Sequence, residues 1–206
     1  MASPLTKKIR LGCGCLLVLA AALVSCRPPS SGNIADKGKI EALMSGGQSA
    51  EALRLLEQIA DPKEAAWVLL QRARCLDALG RYHEEVAAYE LLLTQHADSP
   101  LADKTAHNDC AWILATSPDP DTRNPERAIF HAEKAIEGSL DDFGFLDTLA
   151  AAYAAAGRFD KAVDRQREAA VRVPRKHPSA KEFQDRLFLY LDKQAYVDPS
   201  LAEKQH

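Results

Sequence analysis

Long apolar runs, alternating apolar and polar stretches, and clustered metal ligands are all scarce in this 206-residue chain, and each shortage removes a class of protein. The longest apolar segment, Leu11 to Val24, has 14 residues, whereas a helix crossing a bilayer needs about 20. Several membrane spans are excluded, and a permanent single-span anchor is the weaker reading of that segment. Period-two alternation is almost missing from Asn33 onward, which excludes a sheet-based domain. Of five cysteines, Cys13, Cys15 and Cys26 fall near the N-terminus, so only Cys75 and Cys110 remain and no disulfide framework is built.

Signatures of chemistry are equally thin. Gly12-x-Gly14 lies in the N-terminal apolar segment and not between a strand and a helix; no G-x-S-x-G or phosphate-binding loop occurs. His107 and Cys110 share a helical face, but no second ligand pair follows, so a structural role is expected for them and no metal site. Asp119-Pro-Asp121-Thr-Arg123-Asn124 opens like an oxygen-ligand loop yet lacks the glycine at its sixth place and the glutamate at its twelfth, and reads as a rigid turn. The adjacent acids Glu84-Glu85 and Asp141-Asp142 point in different directions on a helix. No catalytic residue and no cofactor is expected, and an enzyme is the weakest reading.

What is present begins with Lys7, Lys8 and Arg10, followed by the apolar run, Leu23-Val24-Ser25-Cys26 and a polar stretch from Arg27 to Gly32. Basic, apolar and small residues in that order make a secretory signal. Leu-Val-Ser-Cys resembles the lipobox of bacterial lipoproteins. The resemblance implies a signal peptide over 1–25, diacylglycerol on the Cys26 sulfur, an added acyl chain on its freed amine, and a lipidated tether over 26–32. Two or more chains hold a protein on a membrane where one holds it only marginally. Arg27, in the place where aspartate tends to retain lipoproteins in the inner membrane, favours the outer membrane facing the periplasm. An ordinary signal peptide with an incidental Cys26 is the alternative. Cleavage removes three of the 26 basic side chains and none of the 29 acidic, leaving a net charge of −6 that argues against nucleic acid.

In the exported part, apolar residues recur at three and four apart through alanine-rich stretches, broken at Gly46-Gly47, Asp61-Pro62, Gly80, Ser99-Pro100, Ser117 to Pro120, Gly138, Gly157 and Pro174. The clearest unit places Leu146, Leu149, Ala150, Tyr153, Gly157, Phe159, Ala162, Ala169 and Pro174 at spacings similar to the tetratricopeptide repeat. Thirty-four residues upstream, Trp112, Ala128 and Ala135 hold the separations of Leu146, Ala162 and Ala169. A third unit runs from Ala73 to Leu92, with Arg72 and Glu85 where leucine and alanine are usual, and a degenerate first unit from Ile40 to Ile59. The resemblance covers 33–176 and implies an all-α, right-handed solenoid of about four helical hairpins. The segment 177–206 is read as a cap and tail, with a helix over Ala180–Tyr196 that places Phe183, Leu187, Tyr190 and Leu191 on one stripe.

Family behaviour implies that the first helix of each hairpin lines a concave face that binds peptides or partner helices. Carried over, that face holds Trp67, Leu70, Gln71, Arg74, Asp77, Ile113, Asp147 and Thr148, with Cys110 and Leu114 beside them. Trp67 and Arg74 are residue types that dominate interfaces, although Trp67 serves equally well as a staple between the first two hairpins. Cys75 and Cys110 are offset by about 12 Å on neighbouring parallel helices, beyond disulfide reach, and are expected to stay reduced and buried. A tether of about seven residues reaches at most about 25 Å and keeps the first repeat near the bilayer. The combined expectation is a membrane-anchored scaffold for other proteins in the cell envelope, with self-association as the alternative.

Overall fold

Small residues at helix crossings decide how closely the helices pack. Ala73, Ala111, Ala128, Ala150 and Ala162 are wholly buried, and a methyl group lets two backbones approach where a branched side chain would hold them apart. The computed structural model describes residues 34–138 and 141–204. The expected signal peptide, Cys26 and the tether lie outside the described residues.

Ten α-helices follow one another: α1 (Ile34–Ser45), α2 (Ser49–Leu56), α3 (Ala65–Ala78), α4 (Tyr82–Gln95), α5 (Lys104–Thr116), α6 (Pro125–Ile136), α7 (Phe143–Ala155), α8 (Phe159–Arg172), α9 (Ala180–Leu191) and α10 (Pro199–Glu203). No strand occurs among the described residues. The first eight pair as four hairpins that stack in chain order, α2 on α3, α4 on α5 and α6 on α7, with α5 also against α7 and α8 against α9. This is the tetratricopeptide-type solenoid that the spacing led us to expect. One apolar core runs from Ile40 to Leu201, and a smaller cluster of Leu146, Ala169, Val173 and Phe183 sits under α9. In the first hairpin α2 stops at Leu56, so Ile59 lies beyond its end.

Gly80 and Gly157 close the second and fourth hairpins with φ of 66° and 71°. The following amides of Arg81 and Arg158 donate back to Leu76 O and Tyr153 O at 2.9 and 2.8 Å, the backbone arrangement by which a left-handed residue ends a helix. The third hairpin has no such glycine. Its turn, Ser117 to Asn124, is held by its own side chains: Asp119 accepts from the Asp121 amide at 3.0 Å and from the Thr122 hydroxyl at 2.9 Å, and Asn124 caps α6.

That longer turn corrects the repeat register. α6 and α8 start 34 residues apart, at Pro125 and Phe159, as the periodicity requires; α5 and α7 start 39 apart, at Lys104 and Phe143. In α5 the buried counterparts of Leu149, Ala150 and Tyr153 are therefore Cys110, Ala111 and Leu114. Trp112 is not the counterpart of Leu146; it stands only half-buried and lines a cleft. Cys110 and Leu114 belong to the core, not to the concave face. Cys75 and Cys110 are both buried and unpaired.

The cap also differs from expectation. α9 ends at Leu191 and not at Tyr196; Lys193 takes a left-handed φ of 56°, and the chain turns back. The buried stripe of α9 includes a charge, Arg186. Its Nε donates to Asp147 Oδ1 at 2.9 Å, and Gln166 Nε2 donates to the same oxygen at 2.6 Å. The guanidinium also lies over the rings of Trp112, Phe183 and Tyr196, at 5.5, 5.0 and 5.2 Å.

Breaking such a pair from one side strands a buried charge. Arg186→Met is expected to lower the unfolding free energy by about 3–5 kcal/mol, and Asp147→Leu combined with Arg186→Met to restore most of it. Urea unfolding of the three proteins checks this; a single variant as stable as wild type would show that the pair does not hold the cap.

Candidate protein-binding groove

α4 packs between α3 and α5, α5 packs on α7, and among these four helices opens a cleft of about 490 Å³. Arg74 and Asp77 reach it from α3, Glu85 and Tyr89 from α4, Asn108, Asp109, Trp112 and Ile113 from α5, and Thr148 from α7. Its C-terminal side is not open. The segment from Asp198 to Lys204 returns from the cap and lines that side through Asp198, Ser200, Leu201 and Lys204.

Three residues of that segment carry the attachment. Asp198 works in two directions: Oδ1 caps α10 by accepting from the Ser200 amide at 2.9 Å, and Oδ2 accepts from the Trp112 indole N–H at 3.0 Å. Its own amide donates to Thr116 O at 2.9 Å. Leu201 is buried against the core, and its carbonyl accepts from the Tyr82 hydroxyl at 2.8 Å. Lys204 Nζ pairs with Asp77 Oδ1 at 2.7 Å. Proline at the first turn of α10 has no amide to satisfy, which suits a helix of five residues started by an aspartate cap.

The floor is acidic. Glu85 is buried with Oε2 unpartnered among the described residues. Burial first, and then repulsion from Asp77, pushes its carboxyl up to about 9, against an opposing pull from Lys204. At neutral pH it is a protonated acid. Burial raises Asp109 as well, while hydrogen bonds from Asn108 and Tyr89 counter that rise. Asn108 Oδ1 is a second buried acceptor without a partner among the described residues.

The residues expected on the concave face divide into two groups. Arg74 is exposed, and Trp67 and Asp77 are half-exposed. Trp67 has Lys37 over its ring at 4.9 Å, and Lys37 in turn pairs with Glu64, so the ring staples α1 to the second hairpin. Leu70, Gln71, Ile113, Asp147 and Thr148 are buried; Asp147 is committed to Arg186 and Gln166. Glu85, Tyr89, Asn108, Asp109, Trp112 and the returning tail were not anticipated as groove residues. Asp198-Pro199 was the available signal for the tail, since an aspartate followed by proline is how a helix commonly begins.

His107 and His131 join α5 to α6 through Nδ1 atoms 2.9 Å apart. His107 thus has a partner other than Cys110. Among the described residues, no group of three or more His, Cys, Asp or Glu side chains could hold a metal ion.

No protein-family model and no curated protein sequence matches the chain. Solved structures do. MamA from Desulfovibrio magneticus RS-1, spanning residue 41 to its end, matches with a TM-score of 0.64 at 18% identity over 82% of this chain and 89% of that one. A double mutant of MamA RS-1 gives the same score and identity, over 82% of this chain and 88% of that one. MamA AMB-1 gives 0.54 at 18% identity, over 84% and 88%. At that identity the likeness establishes the fold and nothing finer.

Glu85 supplies a pH test of the groove. Its carboxyl holds a proton up to about pH 9 when folded and only up to its ordinary value of 4.5 when not. The folded state therefore binds more protons between those values, and stability falls as pH rises through that window. Glu85→Gln is expected to stabilise the protein increasingly from pH 5 to pH 8, by up to ~1.4 kcal/mol per pH unit. Urea unfolding at both values measures it; a gain equal at the two would show that Glu85 ionises freely.

Proposed function

We propose that the protein is a scaffold for protein–protein interaction, carried on a bacterial envelope membrane by lipid attached to Cys26. The observation that carries the scaffold reading is the solenoid itself, a stack of hairpins with a lined groove along its first helices. Repeats of this kind present an extended, shaped binding surface. The lipid anchor rests on the lipobox resemblance of Leu23 to Cys26 and on the basic, apolar and polar order around it. Arg27 supports sorting to the outer membrane, and the net charge of −6 after cleavage supports protein partners over nucleic acid.

The exposed part of the predicted face, around Trp67 and Arg74, is the place to start looking for a partner. It lies on the second hairpin, close to the end of the chain that the tether would hold near the bilayer. A partner in or on the same membrane would meet it first.

Two measurements test the reading. Cys26→Ala is expected to move the protein from the membrane fraction to the soluble fraction on carbonate washing; retention in the membrane would contradict lipid attachment. Cross-linked capture from solubilised envelopes is expected to recover a partner with the intact protein and to lose it with Trp67→Ala plus Arg74→Ala in a variant that stays helical. Equal capture by both would move the site away from this face.

A further inference from the structure

The tail joins the core at Leu201 alone among its described residues from Val197 to Lys204, and is otherwise attached by polar contacts. From Leu191 to Ala195 every residue is exposed, and the link between cap and tail is held through its backbone, the Asp192, Lys193 and Gln194 amides donating to Phe188 O, Tyr190 O and Leu189 O at 3.0, 3.1 and 2.9 Å. Lys193 in that link sits in the left-handed region that side-chain-bearing residues avoid. Beyond it, Leu201 is the one buried residue up to Lys204. The contacts recur at every third residue: a carboxylate at Asp198 on the Trp112 indole, an apolar anchor at Leu201 under the Tyr82 hydroxyl, and a cation at Lys204 on Asp77.

The tail also fits the cleft incompletely. α10 is only five residues long, and about 490 Å³ remains beside it. At the floor the buried acceptor Asn108 Oδ1 receives no hydrogen bond from it, and the carboxyl Oε2 of Glu85 makes none with it. A buried acceptor left unpaired costs free energy that a better-matched occupant recovers.

We propose that this cleft docks a helical segment of a partner protein bearing a carboxylate, a leucine three residues on and a cation three residues further, and that Asp198, Leu201 and Lys204 occupy it in cis until such a segment displaces them. A longer helix of the same pattern reaches the space that α10 leaves and can bring a donor to Asn108. The tail thereby sets a threshold: a partner's apparent affinity is reduced by the fraction of time the groove is closed. This inference rests on the reading of the fold as an interaction module. It deepens that reading by giving the partner a recognisable chemistry.

The test uses the full chain in detergent and a fluorescein-labelled synthetic peptide with the sequence of residues 194–204. Leu201→Asp frees the groove by placing a charge where the anchor was. Its chain is expected to bind the peptide at least about tenfold more tightly than wild type, and addition of Trp112→Ala to weaken that binding. Lys204→Glu, a surface change that sets two acids against each other, is expected to give a smaller gain in the same direction; it carries the test if Leu201→Asp loses helix content. Equal peptide affinity in wild type and the released variants would overturn the proposal, as would binding indifferent to Trp112→Ala. A wild-type dimer in sedimentation that dissolves with Leu201→Asp would assign the groove to a second copy, and would also overturn it. Peptide binding is read on purified protein, so its failure is distinct from failure to capture a partner from envelopes.

Discussion

Asp147 and Arg186 are both buried, on different helices, and each would be intolerable there without the other. Charges removed from water recover their lost hydration only through close, well-oriented partners, and these two meet at 2.9 Å with Gln166 completing the set. The pair fixes how α9 lies on the last hairpin. Because Arg186 also stacks on Trp112 and Tyr196, it fixes where the chain goes after α9 ends. Tyr196 rests 5.9 Å from the Trp112 ring, and two residues later Asp198 takes the Trp112 indole N–H. The route of the tail into the groove therefore starts from one buried ion pair.

The groove is a balance of weak ties over an acidic floor. A hydrogen bond contributes about 1 kcal/mol net and an exposed ion pair such as Lys204 with Asp77 less still, so no single contact holds the tail. Its attachment depends on their coincidence. Beneath it, Glu85 avoids an uncompensated buried charge by keeping its proton, which lets Asp77 and Asp109 stay close by. A cation entering from above, as Lys204 does, eases the remaining repulsion.

Much of the architecture was legible in the sequence. Glycine at 80 and 157, alanine at 128, 135, 162 and 169, and the breaks between them specified hairpins and their order, because a turn or a close crossing leaves few residue choices. The register of α5 was not legible: a turn of eight residues from Ser117 to Asn124 replaced a glycine turn, and periodicity alone cannot say on which side of the turn the extra residues fall. Trp112 was misplaced for that reason, and with it the centre of the groove. The concave list drawn from family behaviour did not include self-contact, so Asp147 was read as available when Arg186, 39 residues later, had already claimed it. Asp198-Pro199 carried a readable helix start, yet nothing local says that a short terminal helix returns to a groove built some 80 to 130 residues earlier.

The central claim is that the C-terminal segment closes the groove in the resting protein. Amide hydrogen exchange of the full chain, followed residue by residue by NMR, tests it most directly, since protection reports hydrogen bonds that break only when structure opens. The Asp198 amide, donated to Thr116 O, and the Trp112 indole N–H, donated to Asp198, are expected to exchange slowly and at matching rates, while the amide of exposed Ala195 exchanges fast. Exchange of the Asp198 amide at the rate of an unstructured peptide would contradict the account.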